Sequence, residues 1–186
     1  MWYLNSVVYP CYLVDSFLTK DECLAITNEY SDKVEESKVV GNIINKKIRK
    51  SDNFWIPVDE TTEWLYRKLT DGITFVNKKN FNFDLFGFHS IQFTKYEGKG
   101  SKYGRHSDTS GPGIQNRKLS ISILLNDPSE YEGGDLILYE GARPIKSEMK
   151  LGTLVAFPSY MTHEVTPIIK GTRYTLVTWV EGPPFR

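Results

Sequence analysis

The second half of the chain consists of short candidate strands divided by glycine-containing turns, and this pattern limits the possible folds more than any other feature. The candidates span residues 119–125, 135–139, 153–157, 164–167 and 172–180, after an alternating stretch that begins at Leu85. Turns such as Glu132-Gly133-Gly134 separate them. Regular short strands with this punctuation are typical of sandwiches and barrels of antiparallel sheets. We therefore predict a mainly β core.

The first third of the chain predicts helices ahead of these strands. Thr19-Lys20-Asp21-Glu22 has the form of a capping box, and the helix that it starts is expected to run to about residue 32. A second helix is expected over about residues 60–78, because apolar residues recur there at helical spacing and would form a buried stripe. The stripe consists of Trp64, Leu65, Leu69, Ile73 and Val76. A short strand over residues 7–14 is expected to precede both helices.

The domain organisation follows from the absence of any repeat, low-complexity tract or linker in the 186 residues. We predict one domain over residues 1–186, with a helical N-terminal support over about 1–84 and a β core over about 85–182. Helices packed on the outer face of one sheet make the fold class α+β, mainly β with flanking helices.

Charge and composition argue against several classes of protein. The chain has 23 basic and 23 acidic residues and a formal net charge of zero, whereas nucleic-acid-binding proteins usually carry a basic excess. The basic segment 45–50 is interpreted as a solvated loop or strand edge. No stretch approaches the roughly 18 apolar residues of a membrane span.

The two cysteines and the first residues bear on the cellular compartment. Cys11 and Cys23 are too few for a disulfide framework, and we expect both to be reduced. Residues 1–18 lack the basic start and the small-residue cleavage site of a signal peptide. We therefore expect a cytoplasmic protein. The sequence gives no indication of its oligomeric state.

His106-Ser107-Asp108 is the first sign of a metal site. Residues two apart in an extended segment point to the same side, so an imidazole and a carboxylate can meet one ion there. His163 follows an apolar strand and a turn further along the chain. Two histidines and one carboxylate are characteristic of non-haem iron(II) oxygenases, whereas zinc sites more often use Cys or a third His. The remaining histidine, His89, is expected to be structural or exposed.

A cationic side chain is expected beside this site. If residues 164–180 form a hairpin, Arg173 lies opposite His163, and opposed side chains are about 5 Å apart. A guanidinium in that position suits an anionic ligand, because it can hold a carboxylate with two hydrogen bonds. The same reasoning places Tyr96 opposite His106. Tyr103 would face away from the site in a flat strand, unless twist or a bulge turns it inward.

Three ordered segments resemble one known family. They are Tyr96-Glu-Gly-Lys-Gly-Ser-Lys-Tyr-Gly-Arg-His-Ser-Asp108, the stretch 117–136 with its Gly133-Gly134 turn, and the stretch 158–173 with Pro158-Ser159 and Gly171-Thr-Arg173. Together they cover about residues 85–179, half of the chain. They resemble the prolyl-4-hydroxylase-like branch of the iron(II)/2-oxoglutarate dioxygenases, and most closely the PKHD-type hydroxylases of bacteria.

The resemblance implies a double-stranded β-helix, also called a jelly roll or cupin-like fold. It implies that His106, Asp108 and His163 bind iron(II), and that Arg173 pairs with the distal carboxylate of 2-oxoglutarate with help from Tyr96. Dioxygen would be the oxidant and ascorbate a reductant.

Two further cosubstrate contacts are expected from the resemblance. Tyr103 is one candidate. Leu124 is the other, because it stands where more distant prolyl hydroxylases often place a tyrosine on the central strand.

The expected reaction is hydroxylation of an unactivated C–H bond with release of succinate and carbon dioxide. The resemblance favours a prolyl or other side chain in a peptide or protein as substrate. Two alternatives stay open, namely the same chemistry on a small molecule or free amino acid, and a non-catalytic jelly-roll binding module. Trp55, Tyr131, Tyr160 and the loop 109–115 are candidates for the entrance of the site.

Overall fold

The computed structural model describes residues 9–39 and 43–184. Within these residues, two α-helices lie in the first half of the chain, α1 (Lys20–Tyr30) and α2 (Glu63–Val76). The strands are β1 (Tyr12–Val14), β2 (Glu35–Glu36), β3 (Arg49–Lys50), β4 (Asp52–Ile56), β5 (Ile91–Glu97), β6 (Lys102–His106), β7 (Arg117–Leu124), β8 (Tyr131–Gly133), β9 (Leu136–Glu140), β10 (Arg143–Lys146), β11 (Leu154–Pro158), β12 (Thr162–Val165) and β13 (Ile168–Glu181).

Helix α1 begins at the predicted capping box. The Thr19 hydroxyl accepts a hydrogen bond from the Glu22 backbone N–H at 3.2 Å, and the Glu22 carboxylate accepts one from the Thr19 N–H at 2.7 Å. Such caps contribute about 1 kcal/mol. Lys68 of α2 also donates to Glu22 at 2.7 Å, which ties the two helices together. Of the strand predicted over residues 7–14, Tyr12–Val14 forms and residues 7 and 8 lie outside the described residues.

Helix α2 buries most of the predicted stripe. Leu65, Leu69, Ile73 and Val76 are each at most 5% exposed and pack into the main core. The prediction was wrong for Trp64, which is 41% exposed. Its position is one residue from Leu65, about 100° around the helix, so it leaves the buried face. A single π-helical turn, Asn77–Phe81, follows the helix.

Two antiparallel sheets form the β structure. The larger has the order β1-β11-β7-β13-β5-β4-β2, with β8 pairing separately with β13, and the smaller has the order β10-β9-β12-β6-β3. The main hydrophobic cluster joins α1 and α2 to the larger sheet. A second cluster lies between the sheets and includes Val155 and Phe157 of β11 together with Leu138 of β9 and Val165 of β12. This is the predicted double-stranded β-helix with flanking helices.

The N-terminal part of the chain contributes strands as well as helices. We predicted a helical support over about residues 1–84, but β1, β2 and β4 lie in the larger sheet and β3 lies in the smaller one. These strands have two to five residues, which is too short for a periodic signal in the sequence. The organisation as one domain over residues 1–186 stays a prediction.

The two predicted hairpins were wrong. Strand β12 pairs with β6 and β9, whereas β13 pairs with β5, β7 and β8, so His163 and Arg173 lie in different sheets. Strands β5 and β6 likewise belong to different sheets, which separates Tyr96 from His106 in register. In a jelly roll, many consecutive strands lie in opposite sheets and do not pair with each other, although β9 and β10 do form a hairpin here. The stretch 85–90 also lies outside the strands, because β5 begins at Ile91.

No helix in the described part of the chain has the length and apolar character needed to cross a membrane.

Candidate metal and cosubstrate site

Two histidines and one aspartate meet between the sheets. His106 is the last residue of β6 and pairs in register with His163 of β12. Asp108 follows two residues after His106, and its carboxylate oxygens lie 3.4 Å from His106 Nε2 and 3.5 Å from His163 Nε2. The potential ligand atoms of the three residues all lie within 4.8 Å of one another. Asp108 and His163 are buried, and His106 is half-buried.

Backbone carbonyls orient both imidazoles. His106 Nδ1 lies 2.8 Å from the Gly104 carbonyl, and His163 Nδ1 lies 3.0 Å from the Met161 carbonyl. A carbonyl only accepts, so each Nδ1 donates to it and each Nε2 is the ring nitrogen left for a metal ion. Both Nε2 atoms lie next to the Asp108 carboxylate. This arrangement is the usual outer support of a metal-binding histidine.

The carboxylate of Asp108 is held in its ionised form. Burial is the strongest influence and by itself raises the pKa of Asp108, but His163, His106 and a hydrogen bond from Ser120 together hold the pKa well below its ordinary range. Burial lowers the pKa of His163. At neutral pH the site therefore offers an anionic oxygen donor from Asp108 and a neutral imidazole from His163, which are the protonation states that metal binding requires.

The donor set fits a divalent first-row metal with open coordination positions. Two imidazoles and one carboxylate on one side of the ion form the facial triad found in non-haem iron(II) oxygenases. In the described residues this is the one group of three or more such side chains close enough to share an ion.

Arg173 lies in the same cavity, although not by the predicted route. It pairs in register with Tyr96 across β13 and β5, and its Cζ lies 5.6 Å from the centre of the Tyr96 ring. Arg173 is 2% exposed, and its Nη1 has no hydrogen-bond partner among the described residues. A buried guanidinium with an unused donor is costly unless an anion completes it. The site therefore has room and a charge for a carboxylate ligand.

Tyr103 also faces the cavity because β6 contains a bulge. Three residues of β12, from His163 to Val165, lie opposite four residues of β6, from Tyr103 to His106. The extra residue of β6 turns the Tyr103 ring to the same side as the His106 ring. These two rings stack with their centres 3.6 Å apart. Burial raises the pKa of Tyr103 to about 12, so the phenol stays neutral.

Arg49 is the main residue that the sequence interpretation missed. We assigned the segment 45–50 to a solvated loop or strand edge, but Arg49 is 7% exposed and lines the cavity. It donates to Ser51 Oγ at 2.8 Å and to Gln92 Oε1 at 2.9 Å. A two-residue strand has no periodicity that would separate its inward residue from the exposed Lys50 beside it.

The remaining candidates lie in different places. Leu124 is buried on β7 and is not among the residues that line the cavity in the described structure. Trp55 is 48% exposed, and its ring lies 6.1 Å from Trp179, which does line the cavity. Tyr131 interacts with the Arg173 guanidinium, and burial raises its pKa.

Tyr160 and the loop 109–115 do not line the cavity in the described residues. Tyr160 is 55% exposed. His89 has an exposed side chain, as predicted, and lies 3.7 Å from Glu181. Both cysteines are free.

Comparisons with known proteins agree with this geometry. Residues 91–181 match the family model of the 2OG-Fe(II) oxygenase superfamily. A PKHD-type hydroxylase of Picosynechococcus sp. is 40% identical over 95 residues, and one of Prochlorococcus marinus is 33% identical over 94 residues. Each alignment covers 50% of this chain and 42% of the relative, so the aligned part spans less than half the length of these curated relatives.

Solved structures share the fold over nearly the whole chain. A prolyl hydroxylase of Trichoplax adhaerens, in complex with a hypoxia inducible factor peptide fragment, superposes with a TM-score of 0.79 and 24% identity, over 93% of this chain and 84% of that one. A prolyl-4-hydroxylase of Pseudomonas putida gives a TM-score of 0.74 and 22% identity, over 94% and 93% of the two chains. The sequence matches and the shared jelly roll together support a 2OG-Fe(II) oxygenase of the PKHD and prolyl hydroxylase type.

Proposed function

We propose that this chain is an iron(II)- and 2-oxoglutarate-dependent dioxygenase that hydroxylates a prolyl side chain in a peptide or protein. The observation that carries the proposal is the convergence of His106, Asp108 and His163 within 4.8 Å, in a cavity that also contains the buried Arg173. A metal triad alone suits several activities. The triad together with a carboxylate-binding cation suits a cosubstrate that chelates the metal and carries a second acidic group.

His106, Asp108 and His163 would hold the iron. Each imidazole already presents Nε2, and Asp108 presents an ionised oxygen, so little rearrangement is needed on binding. Ser120 donates to one oxygen of Asp108 and leaves the other one for the metal. One histidine comes from β6 and the other from β12 of the smaller sheet, so backbone pairing sets their separation.

Arg173 would bind the distal carboxylate of 2-oxoglutarate. Its Nη1 is the unused buried donor, and Tyr96, 3% exposed, is the aromatic residue opposite it in register. Tyr131 interacts with the same guanidinium and is placed to steady it. Contacts from Tyr103 and Leu124 to the cosubstrate remain predictions.

Bound iron and 2-oxoglutarate supply oxidative decarboxylation with dioxygen, coupled to hydroxylation of the substrate, with succinate and carbon dioxide as the other products. The protein contributes positions and a dry environment. The interior next to the triad is closed by Phe157, Leu136 and Val165, which limit access of water to the metal. Ascorbate is proposed as the reductant that restores iron(II) after uncoupled turnover.

A peptide substrate is supported by the surface beside the cavity. A groove lined by Phe54, Trp55 and charged side chains of residues 33–38 meets the cavity at Gln92, which lines both. Trp55 is half-exposed there and offers an aromatic face to an extended chain. The Trichoplax adhaerens relative is described in complex with a peptide. The cytoplasm remains the predicted compartment.

The test is a mass-spectrometric search for products 16 Da heavier in proline-containing peptide libraries incubated with the protein, iron(II), 2-oxoglutarate and ascorbate. We expect hydroxylated peptides with the wild type and none with His106→Ala. Succinate release that responds only to free amino acids or other small molecules would contradict the peptide part of the proposal. If no succinate forms under any condition and the protein binds no iron, a non-catalytic binding module replaces the proposal.

A further inference from the structure

We propose that Arg49 is a positioning residue for the iron ligand His106 and acts through the ring of Tyr103. The inference rests on the metal site of the proposed function and assigns a role to a residue outside the triad. Its basis is a continuous column of three side chains. The Arg49 Cζ lies 4.7 Å from the centre of the Tyr103 ring, and the Tyr103 ring lies 3.6 Å from the His106 ring, tilted by 16°.

Arg49 is a buried cation held by neutral partners. It is 7% exposed, and no carboxylate forms an ion pair with it in the described residues. Its Nε donates to Ser51 Oγ and its Nη2 donates to Gln92 Oε1. Ser51 in turn donates to Ser37 at 3.0 Å. This chain of hydrogen bonds fixes the plane of the guanidinium. An ion pair with a mobile carboxylate would hold that plane less firmly.

The backbone places Arg49 where it can act on Tyr103. Strand β3 pairs with β6 so that Arg49 is directly opposite Tyr103. The Gly104 N–H also donates to the Ile48 carbonyl at 2.7 Å, which locks the two strands together beside the bulge. A cation over an aromatic ring contributes more when the groups are removed from water. Arg49 is buried here and Tyr103 is partly buried.

His106 needs support on its ring face as well as at its edge. It is the last residue of β6, and its hydrogen bond to Gly104 fixes Nδ1 but leaves the ring free to tilt about that contact. The torsion that turns an imidazole has a broad energy minimum. Tyr103 covers one face of the ring, and His163 lies 4.2 Å away at an angle of 52°. Without Arg49 the Tyr103 ring would be free to move. His106 would then lose the stacking contact that keeps Nε2 directed at the metal.

Cobalt(II) is a suitable probe, because its visible spectrum reports the number and arrangement of its ligands without turnover. We would titrate cobalt(II) into the wild type, Arg49→Met and Lys50→Met. Arg49→Met keeps an unbranched apolar stem and removes the guanidinium with its charge and donors. Lys50→Met makes a similar change on the exposed side of the same strand, where Lys50 Nζ donates to the Lys99 carbonyl.

We expect Arg49→Met to raise the dissociation constant for cobalt(II) about 10-fold, the usual effect of losing an outer partner of a metal ligand. Its absorption bands should shift as well. Lys50→Met should match the wild type in both. A double-mutant cycle tests whether Arg49 acts through Tyr103. The double variant Arg49→Met/Tyr103→Leu should bind cobalt(II) about as well as Tyr103→Leu alone.

The outcomes separate this inference from the proposed function. If the wild type binds no cobalt(II), or if His106→Ala binds it equally well, the proposed metal site is wrong. If the wild type binds it through His106 but Arg49→Met has the same affinity and spectrum, the metal site stands and the role of Arg49 is overturned. Circular dichroism checks folding. If Arg49→Met does not fold, Arg49→Lys, which keeps the charge and loses the planar group, should show the same direction of change, and unchanged binding by it refutes the role.

Discussion

Ser120 donates a hydrogen bond of 2.6 Å to Oδ2 of Asp108, and its own oxygen lies 2.9 Å from Ser159 Oγ. Ser120 is 1% exposed, so water cannot readily replace it. We expect Ser120→Ala to weaken iron(II) binding about 10-fold, because Asp108 would lose the contact that selects which oxygen faces the metal. The iron(II) affinity can be measured by anaerobic titration in the presence of 2-oxoglutarate, with the visible charge-transfer band as the signal.

Ser147→Ala is the matched control for that experiment. Ser147 is also buried, and its hydroxyl has no hydrogen-bond partner among the described residues. Its removal should leave iron binding unchanged. Equal effects of the two substitutions would show that loss of a buried hydroxyl, and not support of Asp108, is responsible.

Each member of the triad should be indispensable. We expect Asp108→Ala or His163→Ala to abolish 2-oxoglutarate-dependent succinate formation and to lower the iron content of the purified protein. His89→Ala provides a control, because the His89 side chain is 87% exposed. It should retain wild-type activity. Wild-type turnover by either triad variant would refute the proposed metal site.

Arg173→Ala should separate cosubstrate binding from metal binding. Leaving a buried charged group without its partner costs about 2–5 kcal/mol, so the 2-oxoglutarate concentration needed for half-maximal succinate formation should rise at least about 30-fold. The affinity for iron(II) without cosubstrate should change much less. Lys170→Ala, an exposed cation on the same strand, should alter neither quantity. Equal losses of iron and cosubstrate affinity would argue against the assigned role.

Gly134 should be more sensitive to substitution than Gly141, although both have a left-handed backbone, with φ of +67° and +61°. A Cβ on Gly134 would lie 2.4 Å from Ile168 Cδ1 and 3.1 Å from Arg173 Cδ, whereas a Cβ on Gly141 meets nothing within 4 Å. In both alanine variants the strained backbone should lower the free energy of unfolding by roughly 1–2 kcal/mol. Gly134→Ala should lower it further, because its Cβ would also displace neighbouring side chains. It should also need a higher 2-oxoglutarate concentration, because Arg173 must move.

Urea denaturation and the dependence of succinate formation on 2-oxoglutarate measure the two effects of that pair. If Gly141→Ala impairs cosubstrate use as much as Gly134→Ala does, the contact between Gly134 and Arg173 has no functional weight.

The fold was predictable from the sequence because its signals are local. The capping box at Thr19 and the turns between candidate strands fix where elements begin and end, and both depend on neighbours in the chain. Two short motifs, His106-Ser107-Asp108 and the segment around His163, were likewise readable as one site, and the structure brings the three side chains together.

Pairing between strands was not predictable in the same way. We placed Arg173 in the site by a hairpin with His163 that does not exist, and Arg173 reaches the cavity because β13 crosses the larger sheet beside β5. Nearest-neighbour hairpins are the simplest inference from one sequence, and a jelly roll breaks that rule. Arg49 escaped notice for a related reason, since its burial depends on partners distant in the chain, Tyr103 of β6 and Gln92 of β5.

Strand β13 lays out the interior of the site. Its alternate residues Arg173, Thr175, Val177 and Trp179 all line the cavity, over roughly 20 Å of extended chain. Substitution of Thr175 or Val177 can therefore change the shape of the cavity while Arg173 and Trp179 keep their positions. Inserting one residue among them would turn Trp179 towards the helices and bring its neighbour inward. Substitutions along β13 can thus change which ligands the cavity accepts, whereas insertions or deletions in β13 would disrupt the cavity.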